Sequence, residues 1–486
     1  MNILIFTTIF FICIGFMEGC RFAENRYDLR KVGRLSPARK QAWGTCWSHG
    51  VMSSIESNLM TTGVWLESGE KGEADLSEYH MDKFNGFNRQ GETGNRQKGW
   101  YSGQGPDFSG SNTDDLSSGV VVHLGGDYQM AAAWLSNSLG AVQERLTPTI
   151  LSDNNGHDLF GDNDQEGVLK KNGYTYFFPK HIEWLTRKGS VVEKRNKIKE
   201  AIKKFGAVAS GQKMINTPVG YTSDGAEIHV NLKESKLDHS ISLVGWDDKF
   251  IFKGMTGAWI VKDSDHKKES SPKREHIGHF YLMYDDIHAG KEPMMGGVVF
   301  RDISIRKNIE IYSHSMHGWR YETDENFFEV ANQFKAVGNE KLVAVGIYTL
   351  RENTSFNVRI YKNSKLVWQQ NGNEKFPGFH YVPIMQPMNL SRNDQFKVAL
   401  SYDNSGYAYD ASFEMELLLG KLPPWGSPVI VHSKAQKGQS FYRKNSKAQW
   451  DDFHGYLSRK NKQTGVPHAR NNKTANFAIN AYTRVF

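Results

Sequence analysis

The chain of 486 residues holds three cysteines, and Cys46 is the one that stands beyond the N-terminal apolar run and its border. It sits in Gln41-Ala42-Trp43-Gly44-Thr45-Cys46-Trp47-Ser48. Val51, Ile55 and Leu59 follow at i, i+4 and i+8, with Met52 alongside. That spacing predicts an amphipathic helix beginning near Cys46. A thiol at a helix N-terminus feels the positive end of the helix dipole, which favours the thiolate, the nucleophilic form. Gly44 permits the turn into such a helix.

A thiolate needs a group that holds a proton and passes it to a leaving group. Among 17 histidines a single one carries little information, so context selects His239. Leu237-Asp238-His239-Ser240-Ile241-Ser242-Leu243-Val244-Gly245 reads as an alternating strand that ends in a turn at Gly245. A third group should orient the imidazole, and Asp263 stands at the end of a second strand-like run, Gly257 to Lys262. Asp can hold the ring, and its charge favours imidazolium over imidazole.

These segments together resemble the papain family of cysteine peptidases. The stretch from Tyr27-Asp28-Leu29 through Ser36-Pro37 to Gln41 and Gly44-Thr45-Cys46-Trp47 looks like the start of a mature papain-like enzyme. The resemblance implies Cys46 as nucleophile, His239 as its base, Asp263 in the place usually held by Asn, and Gln41 as a side-chain donor to the oxyanion. Trp43 stands where the family usually has a disulfide-bonded Cys, the step from Gln41 to Cys46 is one residue short, and Asp265-His266 replace Trp-Gly. Leu124-Gly125-Gly126-Asp127 resembles the paired-glycine loop that offers backbone hydrogen bonds to an extended substrate, so Gly125, Gly126 and Asp238 are expected to bind substrate. Asp75-Leu76-Ser77-Glu78 looks like the start of the next helix, and Gly278-His279-Phe280 like the closing strand. Ile198, Ala201, Ile202 and Phe205 predict another helix, stopped by Gly206.

The elements that must position these residues fit a long chain. Residues 3–17 form an apolar run short for a membrane span and suited to a signal peptide, with Cys20 at a possible cleavage and lipidation point. Cys46 and His239 are 193 residues apart, so insertions are expected, notably the polar, Gly-rich 86–118 and the Asp- and Asn-rich 153–164. The latter matches no defensible calcium loop, so no metal and no cofactor are expected. After Arg306, short β-branched or aromatic runs at 342–348, 356–361, 396–402, 413–418, 429–431 and 477–482 predict an all-β sandwich. This half resembles the lectin-like domain that follows the protease in certain prokaryotic papain-like enzymes.

The expected organisation is therefore a signal peptide at 1–20, a papain-like peptidase domain at 21–306 and a lectin-like β-sandwich at 307–486. The fold class is α+β, a two-lobed catalytic domain followed by the sandwich. The expected function is a secreted, periplasmic or cell-surface cysteine endopeptidase acting through a Cys46 thioester, with proteins or peptides as substrates. A catalytically silent surface adhesin on the same fold is the alternative, and transfer of the acyl group to an amine is a third reading. The last 66 residues carry twelve Lys or Arg against Asp451 and Asp452. That excess suits solvated loops or an anionic cell-surface polymer, and no nucleic-acid motif accompanies it. Trp319 and Trp450 are candidates either to stack on carbohydrate or to pack in a core.

Overall fold

Among the described residues, one sheet carries more than half of the strands. In this computed structural model the described residues are 24–41, 44–87, 125–137, 140–147, 173–265, 276–323, 327–415, 429–431, 433, 435–457, 459 and 475–485. The apolar run 3–17, Cys20, Trp43, Leu124, 88–118, 153–164 and His266 lie outside them.

The helix Cys46–Thr62 is central, buried on every side from Cys46 to Leu59. The spacing predicts one apolar face, whereas the helix is covered all round and packs as a core helix. Gly63 ends it in the left-handed region, returning its N–H to the Leu59 carbonyl. The helix Val191–Phe205 starts on a capping box between Ser190 and Glu193, stops at Gly206, and buries Ile198, Ala201 and Ile202 as their spacing predicts. Val64–Glu67, Glu78–Phe84 and Tyr128–Asn137 complete the described α-helices.

Strands outnumber these helices heavily. Beside the Cys46 helix lie Val208–Gln212, His239–Phe252 and Val298–Arg306, and the sheet continues from the His239 strand to Met255–Lys262 and His279–Met283. The His239 strand does not turn at Gly245. It runs on to Phe252 with a register shift beside Gly245, where the strand Arg26–Asp28 pairs with it. A Cβ at Gly245 would overlap the Tyr27 carbonyl, so the glycine serves close approach of two backbones. Nor does the strand alternate: residues 239–246 are all buried, as expected of a central strand covered on both faces.

The same thirteen-stranded sheet continues into the C-terminal half. Tyr176–Trp184 pairs on one edge with Val298–Arg306 and on the other with Gly378–Leu390, which leads on to Glu340–Thr349, Asn480–Val485 and Ile309–Tyr312. The helices and strands of an α+β unit are thus present, while its sheet is shared with the sequence that follows. A second, six-stranded sheet lies over this extension, in the order Lys365–Glu374, Thr354–Lys362, Gln395–Tyr402, Glu329–Lys335, Ser440–Arg443, Asp451–Asp452. Val345, Ile347 and Val382 of the large sheet meet Val358, Ile360, Val398 and Leu400 of the small one, giving the sandwich core. Each such side chain contributes roughly 1.5–3 kcal/mol on burial.

Candidate active site

Three elements bring the reactive groups together. Cys46 is the first residue of the central helix, His239 the first of its strand, and Asp263 follows the last residue of the strand Met255–Lys262. The helix and the His239 strand approach closely because Gly50 lacks a side chain: a Cβ there would overlap the Ser240 hydroxyl. Tyr128 ties the same spot, its hydroxyl lying 2.7 Å from the Ser210 carbonyl and 2.5 Å from Ser240 Oγ. One turn from Cys46 and one residue from His239, this knot sets the spacing of the pair.

His239 Nε2 donates to Asp263 Oδ1 at 2.7 Å, leaving Nδ1 for the thiol. The imidazole is 1% exposed. Burial alone would lower its pKa. The Asp263 charge and hydrogen bond, with a further hydrogen bond donated to Cys46, outweigh burial and hold it well above the ordinary value. The imidazolium is thereby favoured next to the thiol, which is the state a thiolate nucleophile requires.

His49, three residues after Cys46, is the competing base on sequence distance, and its surroundings exclude it. Its Nδ1 lies 3.0 Å from the Thr45 carbonyl, and burial lowers its pKa to about 4. It stays neutral beside a buried group that sequence reasoning missed. Glu56, fully buried on the central helix, accepts from Ser36, from Arg39 at 2.8 Å and from the Leu76 N–H at 2.9 Å, with Lys262 Nζ 3.8 Å away. Lys262 directly precedes Asp263, so this charge cluster anchors the end of the strand that leads into Asp263. Its only sequence signal was a lone Glu on an apolar helix.

Gln41 is held next to the site by Ser264. Its N–H donates to the Ser264 carbonyl at 2.8 Å, and its Oε1 accepts from Ser264 Oγ at 2.7 Å. The carboxamide is thus oriented from the oxygen end by the residue after Asp263. Gly125 adopts φ 114°, and a Cβ at Gly126 would come within 2.6 Å of the Trp47 ring. The paired glycines therefore lie against the residue after Cys46. The Asp238 carboxylate, one residue before His239, pairs with Lys213 and accepts from the Met214 N–H at 2.7 Å.

Asp127, immediately after the glycines, caps the helix Tyr128–Asn137 through the Met130 N–H at 2.6 Å and binds Arg320 at 2.9 Å. Arg320 belongs to the C-terminal half, and its guanidinium lies between the rings of Phe87 and Phe413. Beside it Trp319 is 2% exposed and packs edge-on against Trp184, so it is a core residue and not a sugar platform. Trp450 is covered in part by Lys397 and Arg443.

Comparison with known proteins bears on this arrangement. A family model described as a lectin-like domain matches residues 311–483. No curated protein matches. A solved structure of the clostridial cysteine protease Cwp84 after propeptide cleavage superposes with a TM-score of 0.66 at 19% identity, covering 95% of this chain and 99% of that one. A structure of the cysteine protease and lectin-like domains of Cwp84, a surface layer associated protein of Clostridium difficile, gives 0.67 at 19% identity, covering 96% and 90%. The chain therefore has the fold of a papain-like cysteine protease joined to a lectin-like domain.

Proposed function

We propose that this protein is a cysteine endopeptidase exposed on or exported from the cell, with Cys46 as nucleophile, His239 as general base and acid, and Asp263 orienting the ring. The observation that carries the reading is the buried His239–Asp263 hydrogen bond of 2.7 Å on an imidazole that also bonds to Cys46. In a two-lobed reading, the central helix and its neighbours form one wall of the cleft and the His239 strand the other.

The steps follow from these groups. The Cys46 thiolate attacks a peptide carbonyl, forming a C–S bond and placing charge on the oxygen. The Cys46 N–H and the Gln41 amide are the oxyanion donors. His239 gives its proton from Nδ1 to the leaving amine as the C–N bond breaks. The neutral ring then takes a proton from water, which attacks the thioester and releases the acid and the thiolate. Removing a single oxyanion donor typically costs about 10²–10³ in kcat. Gly125 and Gly126 present backbone to an extended substrate.

The surface location draws support from the surface-layer relative, and the C-terminal half is proposed to hold the enzyme near a carbohydrate or anionic cell-surface polymer. A groove of about 390 Å³ lined by Gln333, Tyr361, Asn363, Lys397 and Trp450 offers such a polymer amides, aromatic edges and a cation.

The test is product analysis by mass spectrometry on a denatured protein substrate, with and without added amine. Peptides ending in free carboxylates, absent with Cys46→Ser, are expected. Amine-capped products alone would assign a transferase, and intact substrate would assign a binding protein.

A further inference from the structure

We propose that His181, His380, Glu374 and Glu183 form a site for a divalent transition-metal cation of the zinc class, bridging the two halves of the chain. The four residues offer ligand atoms that all lie within 4.8 Å of one another. His181 and Glu183 sit on the strand Tyr176–Trp184 of the N-terminal half. His380 lies directly opposite His181 on Gly378–Leu390, and Glu374 ends Lys365–Glu374.

The hydrogen bonds around His380 assign its proton. Nε2 lies 3.1 Å from the Phe376 carbonyl and 3.0 Å from Thr349 Oγ1. A carbonyl only accepts, so Nε2 carries the hydrogen and Nδ1 presents a lone pair. That lone pair faces His181 Nδ1 at 3.1 Å and Glu374 Oε2 at 3.2 Å. Three potential ligand atoms thus converge, His181 Nδ1 being one of them when that ring carries its hydrogen on Nε2, the side of Asp302. Tetrahedral zinc with ligands at about 2.0–2.1 Å requires ligand–ligand edges of roughly 3.3–3.4 Å, close to both separations. A histidine that donates its far N–H to a backbone carbonyl is also the usual outer-shell arrangement of a metal ligand.

The fourth residue and the charges fit the same reading. Arg301 grips Glu183 in a fork, both contacts 2.7 Å, and leaves each oxygen a second lone pair. Asp302 lies 3.9 Å from His181 Nε2 and pairs with Arg301. The carboxylates of Glu183 and Asp302 both pair with Arg301 beside the two imidazoles. The His181 and Glu374 side chains are 19% and 16% exposed, which gives an ion a way in from solvent. The metal would staple the seam where the sheet passes from one half to the other. It would do so independently of Cys46.

Cobalt titration of the full chain carrying Cys46→Ser, which removes the catalytic thiolate as a competing ligand, tests the site. The expected result is one equivalent of Co²⁺ with the visible absorption of a four-coordinate ion, displaced by Zn²⁺. Affinity should fall at least tenfold in His181→Gln and in Glu374→Gln, both at partly exposed positions, and stay unchanged in His314→Gln. Absence of stoichiometric uptake by the Cys46→Ser chain would overturn the proposal, leaving a proton shared between Glu374 and His380 in the metal's place. Uptake unchanged in both ligand variants would overturn it equally.

Discussion

Asp263 Oδ1 accepts from His239 Nε2 at 2.7 Å and from the Asp265 N–H at 3.2 Å, so one oxygen both orients the ring and is itself oriented. In Asp263→Asn the Asp265 N–H selects the amide oxygen for this position, and the His239 tautomer is retained. What is lost is the charge that outweighs burial and raises the His239 pKa. The alkaline limb of kcat/KM is expected to move down by about one unit or more, since each unit is about 1.4 kcal/mol of lost interaction. The folded-state pKa lies above the unfolded value, so the pair adds stability that is fully present below about 6.5 and fades as pH rises through the folded value. Melting temperatures of the two proteins should therefore differ at pH 6 and converge on the alkaline side. A pH profile in Asp263→Asn equal to or higher than wild type would contradict this.

The gap at Gly50 makes a separate prediction. Gly50→Ala pushes a methyl group into the Ser240 hydroxyl and forces the central helix away from the His239 strand. A misplacement near 1 Å can cost about 10² in rate. The expected effect is a fall of that order in kcat with KM little changed. Removing the obstructing oxygen in Gly50→Ala/Ser240→Ala should recover a substantial part, as steady-state kinetics on a fluorogenic peptide will show. Equal loss in the single and double variants would mean the approach of helix and strand does not set the geometry.

Arg320 and Asp127 are 6% and 9% exposed and join the C-terminal half to the residue after the paired glycines. Breaking such a pair from one side leaves a buried charge alone, a cost of about 3–5 kcal/mol. Arg320→Met should lower the melting temperature by several degrees and raise KM for peptides. Alkylation of Cys46 by iodoacetamide, which needs no substrate loop, should keep its rate. The double variant with Asp127→Asn should regain stability, because no charge is left unpaired. Calorimetry of the four proteins closes the cycle.

Much of the site was legible because its residues lie beside one another in short motifs. The Cys46 helix start, the His239 strand and the run into Asp263 are each local patterns, and Gln41 lies five residues from the nucleophile. What escaped depends on contacts far apart in sequence. Gly378–Leu390 carries Pro383 and Pro387, which argue against an internal strand. It is tolerated because the pairing with Glu340–Thr349 shifts register between Leu342 and Ala344, where Pro383 sits opposite Ala344. With that strand unseen, neither the shared sheet nor the meeting of His181 with His380 could be read. Lys365–Glu374 is a polar edge strand with no buried face to mark it. For Trp319 the sequence allows either a carbohydrate platform or a core residue, because nothing local announces Trp184 or Arg187, which enclose it.

The central claim is that Cys46 and His239 work as one unit, and affinity labelling tests it most directly. The protein is treated with a peptidyl chloromethyl ketone, the adduct is located by mass spectrometry, and the rate is compared with His239→Ala at pH 6 to 8. Rapid modification confined to Cys46 and slowed at least a hundredfold in His239→Ala is the predicted result. Folded protein that stays unlabelled, or that labels at the same rate without His239, would contradict the account.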